Sequence, residues 1–183
     1  MAIGIRIKKA EGEYEPERSK FFGAPVVPVE WYGQYGDSEI FFCQINLEDV
    51  AELDKEDILP HYGYLYVFLD TVGGKHALRP IVRYCPDEPS VVIDNFNEVI
   101  EGFEYTDEWL MEFYEADDSE ECTRLLGVPS DWNYEEAPPM LLMQYDPLDC
   151  DTDFLSDLDG FLYLFFGEDM RRFSDVTLME ERS

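Results

Sequence analysis

The sequence predicts an α+β fold of mainly antiparallel sheets, with an internal duplication and a few helices. Three observations carry this expectation. A strand-like motif occurs twice about a hundred residues apart, the first residues alternate apolar and polar, and one long acidic stretch carries apolar residues at helical spacing. The 183 residues suffice for a single domain with its own core. Its expected parts are two similar modules, about 19–85 and 122–174, joined by a helical acidic segment.

The duplicated motif is the strongest of the three. Ile40-Phe41-Phe42-Cys43-Gln44-Ile45-Asn46 is followed by an acidic segment and then Gly63-Tyr64-Leu65-Tyr66-Val67-Phe68-Leu69-Asp70. Leu141-Leu142-Met143-Gln144-Tyr145-Asp146 is likewise followed by an acidic segment and then Gly160-Phe161-Leu162-Tyr163-Leu164-Phe165. Upstream, Gly23-Ala24-Pro25 matches Gly127-Val128-Pro129. Short aromatic and aliphatic runs bounded by glycine read as buried strands, too short to span a bilayer as helices. Gln44 and Gln144, each inside such a run, are expected to bond to neighbouring backbone, because a buried amide must satisfy both donor and acceptor.

Taken in order, Ile3, Ile5 and Ile7 alternate with Gly4, Arg6 and Lys8, as in a half-buried strand. Glu11, Glu13, Glu15 and Glu17 belong to an exposed loop. Pro28 restricts Val26–Tyr32 to an edge or irregular extended piece. Asn46 can cap a short helix whose first turn holds Glu48 and Asp49. Pro80 suggests an edge position for 78–85, and Val91–Ile93 and the region of Val176 and Leu178 read as further strands. Asn95–Ala116 is the expected long helical region, with Val99, Ile100, Phe103, Leu110 and Phe113 on one side and Glu101, Glu104, Glu108, Glu112 and Glu115 as an acidic stripe.

The net charge of −29 is extreme. Spread over roughly 9,000 Å² of envelope from size scaling, it excludes nucleic acid and anionic membranes as partners, since those need clustered Lys and Arg. It favours a cationic partner. The charge is uneven: from Tyr84 to Met170 one basic residue, Arg124, faces 25 Asp and Glu. The four cysteines, Cys43, Cys85, Cys122 and Cys150, show no metal-binding or redox spacing, and free thiols in a reducing cytoplasm are expected. Met1–Ala10 has no apolar core of a secretory signal.

Catalytic patterns are absent. His61 and His76 have no ligand partners at zinc spacing, Gly73-Gly74-Lys75-His76 lacks the frame of a phosphate loop, and no serine sits in a nucleophile elbow. Asp149, Asp151 and Asp153 match the opening of a calcium loop, but Phe154 stands where glycine is required and Gly160 where the bidentate glutamate belongs. No cofactor, no metal and no enzymatic activity are therefore expected.

The order of motifs resembles the YwqG-like family, a bacterial family of unknown function. The resemblance rests on 19–25 (Ser19-Lys20-Phe21-Phe22-Gly23-Ala24-Pro25), Gln44 and Gln144 in their strands, Leu59-Pro60, Leu125-Leu126-Gly127-Val128-Pro129, the two glycine-aromatic runs and Phe173-Ser174. It implies an α+β fold with duplication and no established activity, and it suggests the small acidic immunity proteins found beside bacterial toxin genes. The function expected is a cytoplasmic binding protein that neutralises a basic protein partner such as a toxin. Glu104, Glu108, Glu112, Asp131, Trp132, Glu135 and Glu136 are its expected contacts, with Trp109 and Tyr134 as further exposed aromatics. The alternative is a small-molecule-binding domain or enzyme with a pocket between the modules.

Overall fold

The alternation at Ile3, Ile5 and Ile7 builds a strand, β1 (Ala2–Lys9), in a computed structural model that describes residues 1–130, 132 and 135–181. Eleven more follow: β2 (Lys20–Phe21), β3 (Val26–Val27), β4 (Glu39–Asn46), β5 (Tyr64–Asp70), β6 (Arg79–Cys85), β7 (Val91–Val92), β8 (Trp109–Ala116), β9 (Arg124–Leu125), β10 (Leu141–Tyr145), β11 (Leu162–Phe165) and β12 (Thr177–Glu180). Ten of them form one antiparallel sheet in the order β12-β11-β10-β9-β1-β8-β2-β4-β5-β6, while β3 and β7 pair separately. The outer strands β6 and β12 approach each other, so the sheet is nearly closed and barrel-like.

This overturns the α+β expectation. Among the described residues there is no α-helix, only 3-10 turns such as Leu47–Asp49, where the Asn46 side chain accepts from Glu48 N at 3.1 Å. The long helix expected over Asn95–Ala116 is a 3-10 turn at Phe96–Glu98, a loop through Gly102 at φ +83°, and then β8. Apolar residues there fit both periods. In the strand Trp109, Met111 and Phe113 face the main core, and Glu112 stands opposite Arg6. Opposite charges across a strand pair are favourable, whereas glutamates at three- and four-residue steps repel along a helix. The joining segment is therefore a central strand.

The registers of the two halves match. Lys20 and Phe21 pair with Gln44 and Cys43, as Arg124 and Leu125 pair with Gln144 and Met143. Gln44 pairs with Tyr66 and Gln144 with Tyr163. Both β4 and β10 carry an irregularity at the same place, between Phe41 and Cys43 and between Leu141 and Met143. At the centre, Gly4 of β1 lies beside Arg124 and Leu110 of β8 beside Lys20. An approximate two-fold axis thus passes by the Arg6–Glu112 pair. Each half takes its innermost strand from across the axis. β1 precedes the first half in sequence but pairs with β9, and β8 precedes the second but pairs with β2.

The core follows from this exchange. Phe21, Phe22 and Phe42 of the first half meet Tyr145 and Phe154 of the second, with ring centroids 5.1 Å apart for Phe21–Tyr145 and 5.2 Å for Phe22–Phe154. Trp109, expected to be exposed, is buried in this cluster. Two smaller clusters cover the opposite face of the sheet, one on each half.

Candidate functional site

Each half buries a cation where its second strand meets β1 or β8. Lys20 is fully buried, and its Nζ lies 2.9 Å from Oε1 of Glu108. The same oxygen accepts from Ala24 N at 3.0 Å. Burial pushes the Glu108 carboxyl up and pulls Lys20 down to about 8, so desolvation moves both partners toward neutrality, opposed by the Ala24 N–H at Glu108 and by the charge of Glu17 at Lys20. Arg124, also fully buried, has no carboxylate partner among the described residues. Its guanidinium donates to Asp118 O at 3.1 Å, Val128 O at 3.3 Å and Ser130 Oγ at 2.8 Å.

The glutamines lock the loops that follow. Gln44 Oε1 accepts from Val26 N at 2.9 Å and its amide donates to Pro16 O and Arg18 O. Gln144 Oε1 accepts from Ser130 N at 2.7 Å and its amide donates to Cys122 O. Tyr66 and Tyr163 then donate to the carbonyls of the same residues, Val26 O at 2.8 Å and Ser130 O at 2.7 Å. Between cation and lock the backbone turns through two left-handed residues, Phe22 (φ 56°) with Gly23 and Leu126 (φ 59°) with Gly127. A Cβ on Gly23 would stand 2.0 Å from Glu108 Cγ, so the buried carboxylate and the glycine require one another.

These locks hold the loops that cross the outer face of the sheet. On the first half, Trp31 packs on Tyr66 at 5.3 Å, and Tyr35 on Phe68 at 5.0 Å. The Arg83 guanidinium lies over this group, 4.8 Å from the Tyr35 ring centre and 5.6 Å from those of Trp31 and Phe68. It donates to Gln34 O at 3.1 Å and stands 3.8 Å from Glu39. On the second half, Trp132 packs on Tyr163 at 6.4 Å and Phe165 at 5.7 Å, and its indole N–H donates to Glu136 O at 2.9 Å. Tyr66 pairs with Arg83 in the sheet and Tyr163 with Met179, so Met179 occupies the position of Arg83. A groove of about 460 Å³ opens beside it, lined by Trp132, Glu135, Glu136, Ala137, Pro139 and Met179.

Three of the seven expected contacts, Trp132, Glu135 and Glu136, therefore converge, and Asp131 lies outside the described residues, as does Tyr134. The other three do not form a stripe. Glu104 is exposed and caps a turn by accepting from Gly102 N at 2.7 Å. Glu108 is consumed as the counter-ion of Lys20. Glu112 lines a separate polar pocket of about 360 Å³ with Glu15, Glu17, Arg18 and Asp49. Sequence reading missed Met179 and the buried cations. The latter could have been found at matching places, one residue after Ser19 and one after Thr123 in otherwise apolar strands.

Asp149 bonds to Thr123 as Asp49 bonds to Ser19, and burial raises its carboxyl. Among the described residues no group of three or more His, Cys, Asp or Glu is placed to hold a metal ion. The four cysteines are free thiols. No helix among the described residues is long and apolar enough to cross a membrane. Comparison with known proteins gives no match to any protein-family model and none to any curated protein.

Proposed function

We propose that this chain is a non-enzymatic, cytoplasmic binding protein that neutralises a basic protein partner, as an immunity protein does a toxin. The observation that carries the reading is the Trp132 groove, where an indole packed on Phe165 and a thioether lie beside two exposed carboxylates. Aromatic anchors in a pocket supply affinity, and complementary charge raises the rate of encounter. The surrounding surface favours the same partner. Arg124, the one basic residue between Tyr84 and Met170, is buried, so the described surface of that span carries acids and no lysine or arginine.

The test is affinity capture by the full chain from its native cell at low salt, repeated with two double charge reversals. The reading expects a basic protein whose retention falls about tenfold or more with Glu135→Lys and Glu136→Lys together, and far less with Glu11→Lys and Glu13→Lys. Equal loss in both variants, or no basic protein retained, overturns it.

A further inference from the structure

We propose that the edge of β8 past Met111 is a strand-addition site for an extended basic segment of the partner. The segment's backbone pairs with Phe113 and its cation sits opposite Glu112. The identity of the occupant rests on the binding-protein reading. The site rests on strand register and shares no lining residue with the Trp132 groove.

Register fixes which way the backbone of β8 points. Ile5 and Phe113 face each other across β1 and β8, yet the Ile5 N–H donates to Thr123 O on the far side of β1. Hydrogen-bonded and non-hydrogen-bonded pairs alternate along an antiparallel ladder, so Phe113 likewise turns its N–H and C=O away from β1. Met111, two residues earlier, does the same and donates to Ser19 O at 3.0 Å. There the neighbouring strand gives out, since β2 covers only Lys20–Phe21. Beyond that bond the outward backbone groups of Phe113 and Glu115 meet no hydrogen-bond partner among the described residues. The Lys55–Glu115 ion pair, at 2.7 Å, bounds the stretch at its far end. Met111 to Glu115 spans roughly 13 Å of edge, room for about four residues of extended chain.

The pocket at this edge sets the chemistry. It is the cavity of about 360 Å³ with Met111, Glu112 and Phe113 in one wall, where Glu15, Glu17 and Asp49 outnumber Arg18. An unpaired strand edge in an acidic cavity selects an extended chain that carries positive charge. Side chains alternate along a strand, so the residue opposite Glu112 shares its exposed face, and those opposite Met111 and Phe113 share the core face. The segment that fits therefore reads apolar, basic, apolar. β1 shows the same pattern on the other side of β8, where Ile7, Arg6 and Ile5 stand opposite Met111, Glu112 and Phe113. The two-fold axis supplies a contrast. At the matching place on β1, Ile7 is flanked by exposed Arg6 and Lys8, which repel such a segment.

The experiment titrates the full chain with acetyl-Lys-Val-Arg-Val-Lys-amide and follows its backbone amides by NMR. The proposal expects saturable binding with a Kd on the order of a millimolar or tighter. Amide exchange at Phe113 and Glu115 should slow about tenfold or more in the complex, with Ile7 unchanged. N-methylation of the two peptide valines keeps the charge but removes the donors that face the edge, and should weaken binding about tenfold or more. Citrulline in place of the peptide arginine, and Glu112→Gln in the protein, should each weaken it several-fold. No slowing at Phe113, equal slowing at Ile7, or undiminished binding of the methylated peptide overturns the proposal, as does undiminished binding by Glu112→Gln. General attraction to a chain of charge −29 would give those results. A basic partner whose complex leaves exchange at Phe113 and Glu115 unchanged sinks the edge site and leaves the binding-protein reading standing. Peptide binding that slows both amides, with no basic partner in the cell, does the reverse.

Discussion

On the outer face of the first half, Arg83 lies across Trp31, Tyr35 and Phe68; at the matching register of the second half stands Met179, beside Trp132 and Phe165. The first face is also covered by β3, β7 and the 3-10 turn at Phe96–Glu98, which contribute Val27, Val91 and Phe96 to its cluster. The second has Trp132 and Met179 in that role among the described residues. Among the described residues the same strand plan is thus finished in two ways, one face covered by β3, β7 and a 3-10 turn and the other bordered by a groove. The interior shows a parallel contrast. Lys20 has a carboxylate, Glu108, while Arg124 is held by carbonyls and a hydroxyl.

The largest effect that can break this comparison lies at the buried cations. Lys20→Met strands the Glu108 carboxylate and should cost roughly 3–5 kcal/mol in chemical denaturation, much of which Glu108→Met restores in the double variant. Arg124→Met should cost a similar amount, and no substitution at a described carboxylate should restore it, since its partners among the described residues are two backbone carbonyls and Ser130. Equal rescue in both halves would show that the two cations are solved alike.

Next come the left-handed glycines. Gly23→Ala places a Cβ against Glu108 at φ +75°, and Gly127→Ala places one 2.8 Å from the Ala2 Cβ at φ +81°. Each should destabilise by about 1–3 kcal/mol. Combining Gly23→Ala with Glu108→Ala should recover the steric part and leave the backbone strain, now with Lys20 unpaired.

The titration of Lys20 gives a smaller, signed effect. Its folded value of about 8 lies below the ordinary 10.5, so the unfolded chain binds that proton more tightly. Lys20 therefore opposes folding below about pH 8, and that penalty fades as pH rises from about 8 to 10.5. Measured against the Lys20→Met/Glu108→Met variant, the denaturation midpoint of the natural chain should rise over this window. A flat difference would contradict it. The smallest effect is general: screening the self-repulsion of a −29 chain should raise Tm by a few degrees between about 0.05 and 0.5 M NaCl.

What could be read beforehand divides along the same line. Gln44 and Gln144, Gly23 and Gly127, and the aromatic runs were legible because local needs fix them: a buried amide demands partners and a left-handed turn demands glycine. The exchange of β1 and β8 was not legible. Nothing local says which half a first strand joins, and the sheet decides it by long-range pairing. The misread segment that contains β8 failed for a related reason. Ile100, Phe103, Leu110 and Phe113 are spaced as on a helix, but Trp109, Met111 and Phe113 alternate as on a strand, and pairing with β1 and β2 selects the strand. Of the expected contacts, Trp132, Glu135 and Glu136 share one groove lining, whereas Glu108 pairs with the buried Lys20, because exposure cannot be told from charge alone. Met179 was invisible because its meaning lies in its match to Arg83, and the loops between the matching strands differ in length.

The most direct test of the contrast between the halves is chemical denaturation of Lys20→Met beside the Lys20→Met/Glu108→Met double variant. The account predicts that the double variant regains most of the stability that Lys20→Met loses. A double variant no more stable than Lys20→Met would contradict it.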